Sequence, residues 1–326
     1  MRKVILHIGR HKTGTTAIQR FLFQNKSLLE ENGFYYPNLG IRGFGHHDIG
    51  SLLTRSAIAA ADKGPDEIVR SLRLSLENEL SEQDSTIVIS SESFQNCDPA
   101  VVMSLFDGCD VEVIVYLREQ VAYLLSAYAQ KVQATEYSES LETFYSETSH
   151  STYAEFLDKW SDACDGNIQV KNYDREELLS GNVVVDFCQS FLELDIATVS
   201  NLCGRSDANP SLTRDLLEFK LSINRDGKLS AEQSRFLFTG LSKLAVEDKS
   251  GRIGIAKELV RKATKRYEKS NRYVAKKYFG REKLFNDYVI EDHTDANYSN
   301  QGMGEIKDSL IKFYPDLKDY LLNVKI

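Results

Sequence analysis

Apolar positions fall into short continuous runs near the front of the chain and into long helical repeats toward the back. Val4, Ile5, Leu6 and Ile8 have the length and branched content of a buried strand, and Ala17, Ile18, Phe21 and Leu22 then recur at helical spacing. Asn32-Gly33 ends that segment, and FYYPN reads as a short extended piece stopped by Pro37. A helix is predicted over 65–80, opened by Pro65, with Ile68, Val69, Leu72, Leu76 and Leu80 on one face. Further strands are predicted at 86–91 (TIVISS), at 111–117 (VEVIVYL) and at IQVKNY, ending at Tyr173. The run at 111–117 is apolar nearly throughout, which predicts a central strand covered on both faces. From about 183 the period is helical: VVVDFCQSFLEL as one helix, a second started by Asn209-Pro210-Ser211 and running over 212–223, a third over 231–246 and a last over 304–322. Strands alternating with helices predict an α/β fold, a three-layer sandwich with a mostly parallel central sheet and a largely helical C-terminal part. No repeat or linker interrupts the pattern, so 1–326 reads as a single domain in which about 205–285 is a mostly helical extension.

Composition narrows the classes. With 326 residues, 42% of them hydrophobic, the chain can bury one large core or two small ones. The net charge of −8 excludes a generally basic nucleic-acid binder, so no nucleic-acid partner is expected. The charge is uneven, however: the first 29 residues hold six Lys or Arg and no acidic residue, which suits a polyanionic ligand or is a solvated helix face. No window reaches the roughly 18 apolar residues of a membrane span, so no transmembrane segment is expected. The first strand begins within three residues of Met1, and the five cysteines (Cys97, Cys109, Cys164, Cys188 and Cys203) show no CxxC pair. A cytoplasmic location is expected on those grounds, with the thiols as small buried hydrophobes.

The candidate chemistry starts at the first strand-to-helix junction, GRHKTGTT. Gly9 and Gly14 release the backbone, Thr15 or Thr16 is expected to cap the helix, and the loop amides and helix dipole converge on one spot. That arrangement suits a phosphate or sulfate. The glycine spacing is that of a P-loop and Thr16 keeps its hydroxyl, so the fold is expected to be P-loop-like. Thr15 nevertheless follows Gly14 where a P-loop has lysine, and the loop's lysine, Lys12, precedes it. This displacement argues against triphosphate chemistry and for a shorter anion. An ordinary turn with a solvated Lys12 is the plain alternative.

Other candidates lie at strand ends, where open α/β sheets bind ligands. Glu92 follows the strand at 86–91, and it either works there, caps the next segment or pairs with a lysine. His46 and His47 precede a helix-like run; they serve the site, or His46 caps the helix and His47 faces solvent. Arg118 leaves the strand at 111–117 and could grip a phosphate bidentately. Residues 136–165 hold eight acidic side chains against one lysine and read as a solvated face. Residues 251–283 hold twelve Lys or Arg against three Glu, a solvated basic helix or a surface for an acidic glycan or a phosphate.

Lys-Thr-Gly-Thr-Thr after a strand resembles the 5′-phosphosulfate loop of sulfotransferases, which use 3′-phosphoadenosine 5′-phosphosulfate (PAPS). In YLREQVAYLLSAYAQ, Arg118, Ser126 and Tyr128 are similar to that family's 3′-phosphate motif, with Gln120 where proline is frequent. SNRYVAKKYFGREKLF resembles the C-terminal helix of several carbohydrate sulfotransferases. The resemblance implies sulfuryl transfer from PAPS to an acceptor hydroxyl, a saccharide by preference, with 3′-phosphoadenosine 5′-phosphate (PAP) released and no metal required. It implies cofactor contacts from Arg10, Lys12, Thr13, Gly14, Thr15, Thr16, Arg118 and Ser126. Tyr173, by analogy with a strand-end aromatic of the family, would pack on the adenine, or else it is a tyrosine with its hydroxyl in water. Lys12 would neutralise the leaving phosphate, and Glu92, ahead of His47, would take the acceptor's proton. The stretch 205–285 would then cover acceptor or cofactor. A P-loop nucleotide kinase and a non-catalytic nucleotide-binding protein of the same fold stay open, and the oligomeric state is not legible.

Overall fold

A computed structural model of the chain describes residues 1–81, 83–148, 151–203, 212–227, 229–248, 250–251, 253–290 and 300–323. The fold is α/β. Strands β1 (Lys3–His7), β2 (Phe34–Tyr35), β3 (Thr86–Ser90), β4 (Asp110–Leu117) and β5 (Ile168–Asn172) form one sheet. Their order is β2-β3-β1-β4-β5, and every neighbouring pair is parallel. Apolar runs in β1, β3 and β4 follow from this placement, because interior strands of a parallel sheet are covered on both faces.

The chain clusters into two compact units. The first holds Met1–Glu119, Ser151–Asp207 and Lys269–Phe285, and the second holds Gln120–His150, Ala208–Glu268 and Asn286–Ile326. The expected helical extension over about 205–285 is thus divided, with its last part belonging to the sheet unit. In that unit alternate strand residues face opposite ways. Leu6, Ile8, Ile89, Val113 and Val115 pack with Val69 and Leu72 of helix Pro65–Glu79, with Leu157 and Trp160 of helix Tyr153–Ala163 and with Val274. Ile5, Val88, Ile114 and Tyr116 pack with Ile18 and Leu22 of helix Thr15–Gln24 and with Val184 and Phe187 of helix Val183–Leu192. The two faces make a three-layer sandwich, and each fully buried Ile or Leu contributes about 1.5–3 kcal/mol. The buried Asp186 belongs to this scaffold: Tyr116 donates to it at 2.6 Å and Lys171 at 2.7 Å.

The second unit is a helical cluster around Val121, Leu217, Phe219, Leu237, Leu310 and Leu321. The buried Lys220 and Asn224 of helix Arg214–Asp226 close the end of helix Gln120–Ala134. Lys220 donates to the Thr135 carbonyl at 3.1 Å and to Asn224, while Asn224 donates to the carbonyls of Val132 and Tyr137 at 3.1 and 2.7 Å. These bonds take up a carbonyl of the helix's last turn, at Val132, and two of the segment that leaves it, and the cation sits at the negative pole of the dipole. Burial lowers the Lys220 pKa to about 8.

Some predicted boundaries shift. The helix expected over 304–322 is broken into Asn300–Phe313, a tight turn Pro315–Leu317 and Lys318–Asn323, because Pro315 has no N–H to continue the ladder. VVVDFCQSFLEL stops at Leu192, where Glu193 turns left-handed. Asn209-Pro210-Ser211 lies outside the described residues, and the helix that follows begins at Arg214. Among the described residues no helix is long and apolar enough to cross a membrane.

Candidate active site

β1 lies at the middle of the sheet, and the chain leaves it first for β2 and β3 on one side and later for β4 and β5 on the other. The carboxyl end of β1 is therefore the switch point at which open α/β sheets bind ligands. The glycine loop, Glu92, Arg118 and Tyr173 follow β1, β3, β4 and β5 at that edge. Backbone bonds tie these ends together: Ser91 N–H donates to His7 at 3.1 Å, Ile8 to Ile114 at 3.0 Å and Tyr173 to Leu117 at 2.6 Å.

The loop is a strained, tightly wrapped turn. Gly9, Lys12 and Gly14 all have positive φ, and Thr13 donates to the Arg10 carbonyl at 2.7 Å. Gly14 is required twice: its φ is 77°, and a Cβ there would lie 2.9 Å from the Tyr173 ring and 2.6 Å from Val183. Gly14 also corrects the expected cap. It occupies the N-cap position, no side chain caps the helix, and Ala17 and Ile18 bond its carbonyl at 3.0 and 3.2 Å. Thr15 and Thr16 thus already stand in the first turn, Thr15 buried and Thr16 exposed.

Lys12, with φ 65°, adopts the left-handed conformation at a cost of about 1–2 kcal/mol. Arg118 donates to its carbonyl at 2.8 Å, and the same guanidinium lies 5.5 Å from the centre of the Tyr173 ring. Burial first, and then the Arg118 charge, lower the Lys12 pKa to about 8; no acidic side chain among the described residues offsets them. Arg10 is held over Phe156 and Tyr153, 4.7 and 5.3 Å from the ring centres, and its buried Nε has no hydrogen-bond partner among the described residues. Among the described residues neither Lys12 nor Arg10 has an acidic partner, and two such cations beside a loop of backbone amides are what an anion would complete.

The depressed lysine gives the site a pH signature. Its folded pKa lies below its unfolded value, so its cost to the empty protein is fully present below about pH 8 and fades as pH rises from there toward the ordinary lysine range. A bound dianion favours the protonated form. Affinity for a phosphate- or sulfate-bearing nucleotide is therefore expected to fall as pH rises through about 8, and isothermal titration from about pH 6.5 to about pH 9.5 checks it. Constant affinity across that range would remove Lys12 from the anion site.

Glu92 opens a tight turn, Glu92–Asn96, capped by the Ser91 hydroxyl, which accepts from Ser93 N–H at 3.2 Å. Gly9 lets this backbone approach the loop, since a Cβ at Gly9 would lie 3.2 Å from the Glu92 Cα. Gln19 Nε2 donates to Glu92 Oε2 at 2.9 Å, and His47 Nδ1 stands 3.8 Å from the same oxygen and 3.0 Å from the Ser91 hydroxyl. Burial pushes the Glu92 carboxyl up, but the Gln19 bond, the charges of His47 and His11 and its own N–H outweigh it and hold the pKa below the usual carboxylate range. Glu92 is consequently ionised at neutral pH.

The two histidines part company. His46 sits at the N-cap of helix His47–Leu52 without capping it. It is fully buried, accepts from Ser90 N–H at 3.1 Å, and its Nε2 donates to the Pro37 carbonyl at 3.1 Å. Burial lowers its pKa to about 3, so it is a neutral tie between two loops. His47, expected to face solvent if it did not serve the site, is mostly buried beside Glu92. Ser126 lies half-buried on helix Gln120–Ala134 in the second unit, and Tyr128 of that helix is buried there, donating to the Glu139 carbonyl at 2.8 Å. Sequence reasoning missed Gln19 and His11. An amide on the inward stripe of the first helix, one turn after Thr15, was the available signal for Gln19.

No model of a known protein family matches the chain. An uncharacterized protein from Archaeoglobus fulgidus is 27% identical over 222 residues, which cover 66% of this chain and 59% of that protein's length. A solved structure of a sulfotransferase from Alicyclobacillus acidocaldarius aligns with 77% of this chain and 98% of its own at a TM-score of 0.41 and 16% identity.

Proposed function

We propose that the chain is a sulfotransferase that moves a sulfuryl group from PAPS to an acceptor hydroxyl by in-line displacement, in a cytoplasmic setting and with no metal required. The observation that supports this most is the meeting, at the carboxyl ends of parallel strands, of a short-anion loop with Lys12 and an ionised carboxylate, Glu92. Arg10, Lys12, Thr13, Gly14, Thr15 and Thr16 would hold the phosphosulfate end of the donor. Arg118 and Ser126 are assigned to the 3′-phosphate and Tyr173 to the adenine by resemblance, as is a saccharide for the acceptor. In the reaction the acceptor O–S bond forms as the donor's S–O bond to phosphate breaks. Lys12 offsets charge growing on the departing phosphate, which leaves as PAP, and Glu92 takes the acceptor's proton.

The glycine spacing favours one second reading, a nucleotide kinase. Thermal shift with PAP, adenosine 5′-phosphosulfate, ADP and ATP with magnesium separates the two. A ligand at about one hundred times its Kd stabilises by about 2.7 kcal/mol, roughly 5 °C for a chain of this size. PAP is expected to give that rise. Adenosine 5′-phosphosulfate, lacking the 3′-phosphate, should bind about 1.5–3 kcal/mol more weakly for the lost Arg118 bond alone. Stabilisation by ATP with magnesium and not by PAP would move the assignment to the kinase.

A further inference from the structure

We propose that Gln19 is the positioning residue of Glu92, and that Gly45 is glycine in order to seat the Gln19 amide; the proposal rests on the reading of Glu92 as the proton acceptor. Gln19 is 1% exposed on the helix that starts at the anion loop, a place where an amide survives only if it is hydrogen-bonded. Its Nε2 spends that bond on Glu92 Oε2 at 2.9 Å. The other side of the amide lies flat on Gly45. A Cβ at Gly45 would stand 2.7 Å from the Gln19 Cδ and 2.9 Å from both its terminal atoms, closer than such atoms ever approach. Gly45 has no left-handed φ, so the position requires space and not an unusual conformation.

The consequence is a rigid link between the two halves of the chemistry. Lys12 and the loop amides precede Thr15, and Gln19 is one helical turn further on, so the same helix sets both the anion loop and the carboxylate. An N–H donor on Oε2 keeps the carboxylate ionised and fixes its orientation, which a proton acceptor needs before any substrate arrives. His47, His11, His7 and Tyr36 are the other titratable side chains that interact with Glu92. Ser91 anchors His47 to the same turn at 3.0 Å.

The test is a carbon-detected titration of the Glu92 carboxyl, assigned by its loss in Glu92→Gln, in the full chain and in Gln19→Met and Gly45→Ala. Methionine keeps the bulk and removes the donor. Gln19→Met is expected to raise the Glu92 pKa by about 1–2 pH units, the worth of one hydrogen bond to a charged group. Gly45→Ala should raise it in the same direction by displacing the amide, and it carries the test if Gln19→Met does not fold. The acidic limb of kcat/KM for sulfuryl transfer should move by the same amount, with donor affinity unchanged. An unmoved carboxyl in both variants overturns the proposal whether or not the chain transfers sulfuryl groups. A shifted carboxyl in a chain without transferase activity upholds the hold of Gln19 on Glu92 and overturns the sulfotransferase reading instead.

Discussion

Glu92→Gln is expected to lower single-turnover sulfuryl transfer by about 10² to 10⁴, the usual contribution of a general base, with donor affinity unchanged. Glutamine keeps the size of the side chain, and its carbonyl oxygen can still accept from Gln19, which donates to Oε2 at 2.9 Å in the native chain. The fold should therefore survive and the loss be chemical. His47→Asn should cost clearly less. His47 bonds the Ser91 hydroxyl and stands 3.8 Å from the carboxylate, the place of a residue that orients or charges Glu92. Measured at saturating donor, the reverse ranking would move the base to His47 and leave Glu92 a structural role.

Lys12→Ala is expected to cost about 10² to 10³ in turnover, the usual loss when one charge-stabilising donor is removed. Stability should not fall with it. Alanine keeps the left-handed strain at φ 65° but removes an ammonium whose burial and Arg118 neighbour already lower its pKa to about 8. The melting temperature of the empty protein should hold or rise at neutral pH, while the rise produced by PAP shrinks. Near-normal turnover in a folded variant would sink the role given to Lys12.

The sheet was legible because its information is local. A buried parallel strand must be apolar nearly throughout, so β1, β3 and β4 stand out, and the polar residues in the segments that follow them are visible as Lys12, Glu92 and Arg118. The two-residue β2 carries no such run. What escaped was set by contacts distant in sequence. Serine and threonine are good caps, yet Gly14 took the position because the Tyr173 ring leaves no room for a side chain there. His46 looked like His47 until Pro37 and Ser90 closed on its ring. Gln19 sits on the inward stripe of its helix, but only a carboxylate 73 residues away explains an amide there. Pro315 was a missed local signal, a plain stop inside an otherwise helical period.

The sheet unit is written in three separate stretches of chain, and this affects its biosynthesis. The five strands of the described sheet have been made by Asn172, but Val274, Ala275 and Leu284, which help cover one face, lie in the third stretch, Lys269–Phe285. At about 5–20 residues per second, the ribosome needs roughly 5–20 s more to deliver them. During that interval the nascent sheet carries an incompletely covered apolar face. Chaperone occupancy on stalled chains should accordingly persist past residue 203 and drop only once Phe285 has left the exit tunnel.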